Sequence, residues 1–349
     1  MIVTLILFIL ILGIIVLIHE GGHFLFAKLT KVHVYEFSIG MGPVLFKKIA
    51  KDKTQYSIRA IPVGGFVSLA GEEIDEEQRK KTKGHNLQDK TPFQRFLVMF
   101  MGVGFNFISA FLFLLLMALL AGAPSQDPVI SGITSGYPAE EVGLEEGDKI
   151  LRINDHKVTF LEDISLYLAV EDLDKPVTFL VEKKDNSKET YKVLPQKIKN
   201  EKGEDKYAIG IELNKKTERG ILASLEYAVK EECAILKQMY VVLINLFTGG
   251  VSLNQLSGPV GIFSIVGQMS KEGFAALLYL TALLSINVGV INLLPFPAFD
   301  GGRILFLLIE KIKGSPVNPK VENTIHSIGF ILLILLMIYV TFNDVIKLF

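Results

Sequence analysis

Four long apolar stretches dominate the pattern of hydrophobic and polar positions along this chain of 349 residues. A helix needs about 20 apolar residues to cross a bilayer, and each stretch is close to that length or longer. We therefore predict a polytopic α-helical membrane protein with four transmembrane helices. Thr91 and Pro92 are typical of a helix N-cap and first helical residue. The four stretches are Ile2 to about Ala27, Phe96–Ala121, Phe274 to about Leu294, and Ile325–Phe342.

The polar segments between the first two spans have a different pattern. Gln55–Glu73 alternates and contains glycines, which predicts a β-hairpin. Strand edges at membrane depth must be paired or buried in protein, so we expect this hairpin to be cytoplasmic or to lie against the helices. Glu72–Lys90 is rich in charge and predicts a linker.

The segment between the second and third spans divides into three parts. Pro128–Leu213 combines short strands with turn signals and forms the one soluble block. Ile221–Phe247 predicts an amphipathic helix on the membrane surface. Ser257–Ile262 predicts a turn. The apolar side of the amphipathic helix comprises Leu222, Leu225, Val229, Leu236 and Tyr240.

These patterns predict four domains. Residues 1–126 carry the first two spans and the hairpin, and residues 127–215 form the soluble domain. Residues 216–272 form the amphipathic segment, and residues 273–349 carry the last two spans.

Composition narrows the possible functions. Half of the residues are hydrophobic and the mean hydropathy is +0.42, as expected for several spans plus one soluble module. The net charge is −1 and no basic stripe is visible, so we expect no nucleic-acid partner. Cys233 is the only cysteine, which excludes an intramolecular disulfide framework and a multi-cysteine metal cluster.

Basic residues in the short loops predict the orientation. Loops rich in Lys and Arg stay in the cytoplasm, so the loops after the first and third spans should be cytoplasmic. The two termini and the soluble block then lie on the outer side. The basic residues are Lys28, Lys31, Lys47, Lys48, Lys51 and Lys53 after the first span, and Arg303, Lys311, Lys313 and Lys320 after the third.

The first span ends with the most informative motif, His19-Glu20-Gly-Gly-His23. Histidines four residues apart share one face of a helix and can ligate one zinc ion, while the glutamate can act as a general base. At about 1.5 Å per residue, His19 lies roughly 27 Å along the helix, near the cytoplasmic side of a core about 30 Å thick. The alternative is a pair of packed or interfacial histidines, which would leave Glu20 buried without a partner.

A catalytic zinc needs a third protein ligand and an open fourth position. Asp300, in the sequence Asn292–Ile304, is a lone carboxylate at the same predicted depth as the histidines. Pro295 and Pro297 break the helix and allow Asp300 to turn back toward the first span. The alternative role for Asp300 is the N-cap of a helix that starts at Gly301.

Taken together, these motifs resemble the site-2 protease family of intramembrane zinc metalloproteases, and within it the bacterial regulator-of-sigma-E protease (RseP) group. The resemblance runs through nearly the whole chain in family order. The matching sequences are HEGGH, GGFVSLAGEE from Gly64, GVGFN from Gly102 to Asn106, SGPVGI, and NLLPFPAFDGG. Tyr137–Val158, with its Gly-Asp pair before a strand, resembles a PDZ domain of the bacterial protease type, which binds extended peptides at a strand edge. The alternative is an unrelated small α/β module.

The resemblance implies a function and roles for single residues. It implies cleavage of single-span membrane substrates, such as anti-sigma factors or signal-peptide remnants, in the bacterial cytoplasmic membrane. His19, His23 and Asp300 would bind Zn²⁺, and Glu20 would be the catalytic base. The remaining implied positions are Asn292 and the hairpin residues Gly64, Gly65, Phe66 and Val67, which would hold the substrate. Asn106 and its neighbouring glycines are interpreted as helix-packing positions.

The chain departs from the family pattern at two points. Phe299 stands where the family commonly has leucine. The single PDZ-like block, where some relatives have two, makes a tandem gating scheme doubtful, and we expect this block to act as a size filter for substrates or to bind a peptide. The sequence leaves the oligomeric state open.

Two other functions fit parts of the sequence. A non-proteolytic PDZ adaptor would need a closed structural metal site with four protein ligands, and the sequence offers three. A metal transporter would need further ionisable residues along the spans, and the second and fourth spans offer only His326 near an end.

Overall fold

The computed structural model describes residues 1–72, 82–199, 205–213, 216–249, 257–315 and 317–347. The chain divides into two compact units, Met1–Phe113 with Leu253–Phe349, and Leu114–Ser252. The predicted division into four domains stays a prediction. Part of the predicted linker, residues 73–81, lies outside the described residues.

Within the described residues, four helices are long and apolar enough to cross a membrane, which confirms the four apolar helices predicted from the sequence. The second begins as predicted, because the Gln94 N–H donates to Thr91 Oγ1 (3.3 Å). We number them α1 (Ile2–Leu29), α2 (Pro92–Ala121), α7 (Phe274–Leu293) and α9 (Pro319–Ile346), with α3 (Pro138–Glu141), α4 (Leu161–Val170), α5 (Ile221–Thr248), α6 (Pro259–Glu272) and α8 (Asp300–Lys313) between them.

The β-hairpin of the first unit is larger than predicted. It pairs β1 (Val34–Ile49) with β2 (Gln55–Leu69), so the predicted segment supplies only the second strand. The turn at residues 50–54 contains no glycine, and Lys53 takes the left-handed conformation (φ +68°) instead. Because glycine usually occupies such a position, the sequence of this turn did not indicate a hairpin. The strands bend, so that residues 36–39 have Cα partners both at 65–68 and at 55–58.

The hairpin lies along α1. Near its turn, Lys28 Nζ donates to Asp52 Oδ2 (2.6 Å) at the end of α1. Farther along β2, the Pro62 carbonyl lies beside Gly13. These two contacts are fifteen residues apart on α1, or about 22 Å at 1.5 Å per residue. The hairpin therefore lies against α1 over a length that is most of the thickness of a bilayer core, about 30 Å.

The sequence Ser257–Ile262 forms the start of a helix, so the predicted turn was wrong. Pro259 is the first residue of α6 and Gly258 is its N-cap. Proline is pre-organised for this position, and the buried Asp344 carboxylate accepts the Gly261 N–H (2.8 Å) at the helix N-terminus. Val266 of α6 packs with Ile11, Ile15 and Leu280 of α1 and α7, so α6 belongs to the helical unit.

The second unit is a compact α/β structure. Its largest sheet is antiparallel with the order β6-β5-β7-β8, and its core contains Ile130, Ile150, Ile164 and Phe179. The strands are β3 (Ala123–Pro124), β4 (Gly132–Ile133), β5 (Lys149–Ile153), β6 (His156–Lys157), β7 (Val177–Glu182), β8 (Lys188–Val193), β9 (Gln196–Lys199), β10 (Asp205–Ala208), β11 (Ile211–Glu212) and β12 (Thr217–Glu218).

Helix α5 confirms the predicted helix and shows where its apolar side points. Ala228, Glu231 and Ile235 are buried within the unit. On the predicted apolar side, Leu222 is 79% exposed and Tyr240 is 65% exposed. A helix normally buries its apolar stripe, so this side of α5 is free to contact an apolar surface outside the unit.

Candidate metal centre

Helix α1 places His19 and His23 one turn apart on the same face. Each residue is 8% exposed, and the two Nε2 atoms are 3.3 Å apart. Imidazoles buried among apolar residues need partners for both ring nitrogens. The contact that Nδ1 of each ring makes outside the site shows that Nε2 is the nitrogen that faces it.

Both imidazoles are oriented by contacts with α2. His23 Nδ1–H donates to the Val98 carbonyl (2.8 Å), which leaves Nε2 of the neutral ring as a lone-pair donor to a metal. His19 Nδ1 lies 3.2 Å from the Asn106 side-chain amide. Such outer contacts fix the tautomer of a metal-binding histidine.

Asn106 is the site residue whose role the sequence did not indicate. It is fully buried, and its Oδ1 atom has no partner in the described part of the chain. Rotating the side-chain amide by half a turn would let Oδ1 accept the proton of His19 Nδ1. The sequence alone indicates only a packing position for this residue. A polar residue in an otherwise apolar span is the signal that could have identified it.

Asp300 reaches the histidines through a sharply turned connection. Helix α7 ends at Leu293 and α8 begins at Asp300, with Phe299 as N-cap. The alternative prediction of Asp300 as N-cap is therefore wrong, because Asp300 already has helical geometry. Ala298 takes a positive φ of +87°, and its N–H donates to His326 Nδ1 (3.1 Å).

The glycines after Asp300 allow this turn. A Cβ atom at Gly301 would lie 2.2 Å from the Leu293 carbonyl oxygen, and one at Gly302 would lie 2.5 Å from that of Phe296. Real side chains do not tolerate such contacts with backbone. The two glycines thus let the first turn of α8 fold back onto the end of α7, which brings Asp300 to the site.

The three side chains meet in a geometry that suits a metal ion. Asp300 Oδ2 lies 3.1 Å from His19 Nε2 and 3.2 Å from His23 Nε2. In tetrahedral coordination, ligand atoms about 2.0 Å from zinc are about 3.3 Å apart. With both Nδ1 atoms protonated, three lone pairs converge, and a cation would stabilise that arrangement. These residues could therefore hold Zn²⁺.

Glu20 joins the site to the edge of the hairpin. The Val67 N–H donates to Glu20 Oε2 (2.9 Å), so the carboxylate contacts β2, and Glu20 directly follows His19 on α1. Gly65 lies against β1, where a Cβ would be 2.5 Å from the Ser38 carbonyl oxygen, and Gly64 has a positive φ of +75°. Phe66 contacts Arg59, whose guanidinium carbon lies 4.9 Å from the ring centroid.

Asn292 is not part of this contact network. It lies near the end of α7 and is half-buried. The structure thus brings together Glu20, His19, His23, Asp300 and Val67, whereas a role for Asn292 stays a prediction.

Close packing of α1 on α2 depends on Gly22 and Gly102. A Cβ at Gly22 would lie 2.1 Å from the Met101 carbonyl oxygen, and one at Gly102 would lie 2.2 Å from His23 Nε2. Gly21, in contrast, has no neighbouring atom within 4 Å of a Cβ. Of the two central glycines of the motif, one is therefore required for helix packing and the other is not.

We expect Gly22→Ala to separate α1 from α2 and to lower both zinc content and thermal stability. Gly21→Ala is the matched control, and it should be neutral or stabilise the helix by up to about 1 kcal/mol. Zinc analysis and thermal unfolding in detergent would check this. Equal behaviour of the two variants would contradict the packing argument.

Comparison with known proteins agrees with this site. The sequence model of peptidase family M50 matches residues 7–336. The chain belongs to peptidase family M50, the site-2 proteases. A Fusobacterium nucleatum protein named as a zinc metalloprotease is 41% identical over 341 residues, covering 97% of each chain. The regulator of sigma-W protease RasP of Bacillus subtilis is 33% identical over 423 residues, covering 99% of each chain.

Family membership settles the general chemistry. This M50 member is a zinc metallopeptidase and, with four apolar helices, an integral membrane protein. These findings confirm the resemblance stated from the sequence, the enzyme class and the Zn²⁺ cofactor.

Proposed function

We propose that the protein hydrolyses a peptide bond within or near the transmembrane segment of a membrane-anchored substrate, with zinc held by His19, His23 and Asp300. The observation that carries this proposal is the separation of 3.1–3.3 Å among the three ligand atoms. His19 and Asp300 are 281 residues apart, and in the described part of the chain the three residues form the single such group of His, Cys, Asp and Glu. A structural zinc would have four protein ligands, so the adaptor alternative is not favoured.

The chain's own residues would divide the chemistry as follows. Zinc supplies Lewis-acid polarisation of the scissile carbonyl and acidifies water. Glu20, next to a ligand in the sequence, would accept a proton from the attacking water. It would pass that proton to the amine that leaves when the peptide C–N bond breaks. Asn106 and the Val98 carbonyl keep the imidazoles oriented. The apolar surroundings exclude bulk water and strengthen these electrostatic interactions.

The edge of β2 would hold the substrate. A helix hides its amide groups in its own hydrogen bonds, so the substrate must unwind before cleavage. An unwound segment can add a strand to an exposed edge. Val67 contacts Glu20, and Gly64, Gly65 and Phe66 directly precede it on β2. Asn292 would contribute a polar contact from the end of α7.

The substrate class and orientation follow from the resemblance and the loop charges. We propose single-span substrates of the anti-sigma-factor or signal-peptide-remnant type in the bacterial cytoplasmic membrane. The name of the relative RasP, a regulator of sigma-W protease, supports the first type. The site would face the cytoplasm, with both termini on the outer side.

The unit of residues 114–252 would act on the outer side. We propose that it contains a PDZ-like domain that excludes bulky substrates or binds their trimmed ends. The exposed apolar side of α5 would rest on the membrane surface.

The proposal is tested with detergent-purified protein and designed single-span substrates, with and without a zinc chelator. We expect a cut inside the apolar segment that the chelator abolishes and added zinc restores. Placing a helix-breaking residue in that segment should speed cleavage, since unwinding becomes less costly. Cleavage that persists at full rate after verified removal of zinc would refute the mechanism.

A further inference from the structure

An ion pair links the hairpin to the helix that carries Asp300. Arg303 Nη1 donates to Glu72 Oε1, between residues 231 positions apart in the chain. The two side chains are 34% and 23% exposed, so both charges are partly removed from solvent. The Glu72 carboxylate raises the pKa of the Arg303 guanidinium above its ordinary value, which favours the charged guanidinium.

Each partner lies close to a functional element. Arg303 follows Asp300 by three residues on α8 and therefore shares its helix face. Glu72 follows the end of β2, and its Oε2 atom accepts the Leu69 N–H (3.3 Å). One helix turn, the ion pair and one hydrogen bond thus connect Asp300 to the last residue of β2.

The same edge of β2 carries the contact with Glu20. The N–H groups of Val67 and Leu69 donate to Glu20 and Glu72 rather than to β1. Alternate residues of a strand point their amides to the same side, so both groups lie on the edge that faces away from β1. This is the edge that would pair with the substrate.

We propose that Glu72 and Arg303 are positioning residues that hold this edge of β2 in register with Asp300. The inference rests on the proposed function, because the register matters only if the edge binds substrate. The pairing of a substrate segment with β2 can slip by one or two residues where little fixes the register. Such a slip would present a different peptide bond of the substrate to the metal-binding side chains.

Two variants test the register directly. Glu72→Gln and Arg303→Gln should each lower kcat/KM about 10- to 100-fold, the effect expected of a misplacement of about 1 Å. Mass spectrometry of the products should show cuts at bonds next to the wild-type one. Zinc content should stay at the wild-type value, because no ligand is changed.

Three further variants separate positioning from general stability. The double variant Glu72→Gln with Arg303→Gln should be no slower than the slower single variant, because each single substitution already breaks the same ion pair. Arg303→Lys keeps the charge and should restore most of the activity and the single cut. Glu310→Gln is the control: it removes a more buried ion pair, with Arg95 (2.6 Å), farther along α8 and should keep the wild-type cleavage site.

The outcomes distinguish the two proposals. If wild-type protein makes no chelator-sensitive cut, the proposed function fails. If the wild type cleaves and Glu72→Gln gives the same rate and the same single cut, only the positioning role fails. A slower reaction at one unchanged bond, or an equal change in Glu310→Gln, would also overturn it, because loss of stability alone would then explain the result.

Discussion

Replacing Glu20 by glutamine should lower the cleavage rate by about 10²- to 10⁴-fold, the usual contribution of a general base, and leave zinc bound. The amide has nearly the same shape and can still accept the Val67 N–H through its oxygen, so the contact with β2 is preserved. It cannot accept a proton from water near neutral pH. The rate is measured with a single-span substrate, and zinc content is measured on the same preparation.

Glu322→Gln provides the control for this variant. Glu322 is a half-buried carboxylate on α9. Its replacement imposes a similar change of charge in the same unit, and its charge acts on Arg303 and Arg95 rather than on the histidines. It should keep both activity and zinc. Wild-type cleavage by Glu20→Gln would remove Glu20 from the mechanism, and loss of zinc would show that the residue supports the metal instead.

The sequence predicted the helices well because their signal is local. A stretch of about 20 apolar residues spans a bilayer as a helix, because a helix pairs all of its backbone N–H and C=O groups within one segment. Thr91 and Pro92 marked the start of α2 for the same reason, since a cap acts within one turn. The i, i+4 spacing of His19 and His23 likewise belongs to a single helix, and the structure places the two rings together.

Two of the misses arose where the conformation depends on distant residues, and one arose where a turn uses a residue other than glycine. The start of α6 is stabilised by Asp344, more than 80 residues away, so the glycines around Pro259 suggested a turn. The strand β1 was missed because Lys53 occupies a left-handed position without a glycine. Asn106 acquires its role only when α2 packs on α1, through contacts that Gly22 and Gly102 permit. No local pattern contains that information.

Asp300→Asn should strip the site of zinc and reduce cleavage to the background of the assay. The amide keeps the size of the side chain but loses the negative charge, and neutral amide oxygens are poor zinc ligands. Loss of an outer-shell partner alone costs about 10- to 100-fold in metal affinity, so loss of a ligand should cost more. Zinc content after dialysis and titration with zinc would measure the effect.

The matched control for this variant is Asp344→Asn. Asp344 is also a buried carboxylate of the helical unit, but it accepts the Gly261 N–H at the start of α6 instead of facing the histidines. Its replacement should lower thermal stability and leave the zinc content at the wild-type value. If Asp300→Asn kept full zinc and activity, the 3.1 Å and 3.2 Å contacts with His19 and His23 would be an ordinary ion-pair cluster. The third ligand would then have to come from another residue, because two imidazoles alone do not form a catalytic zinc site.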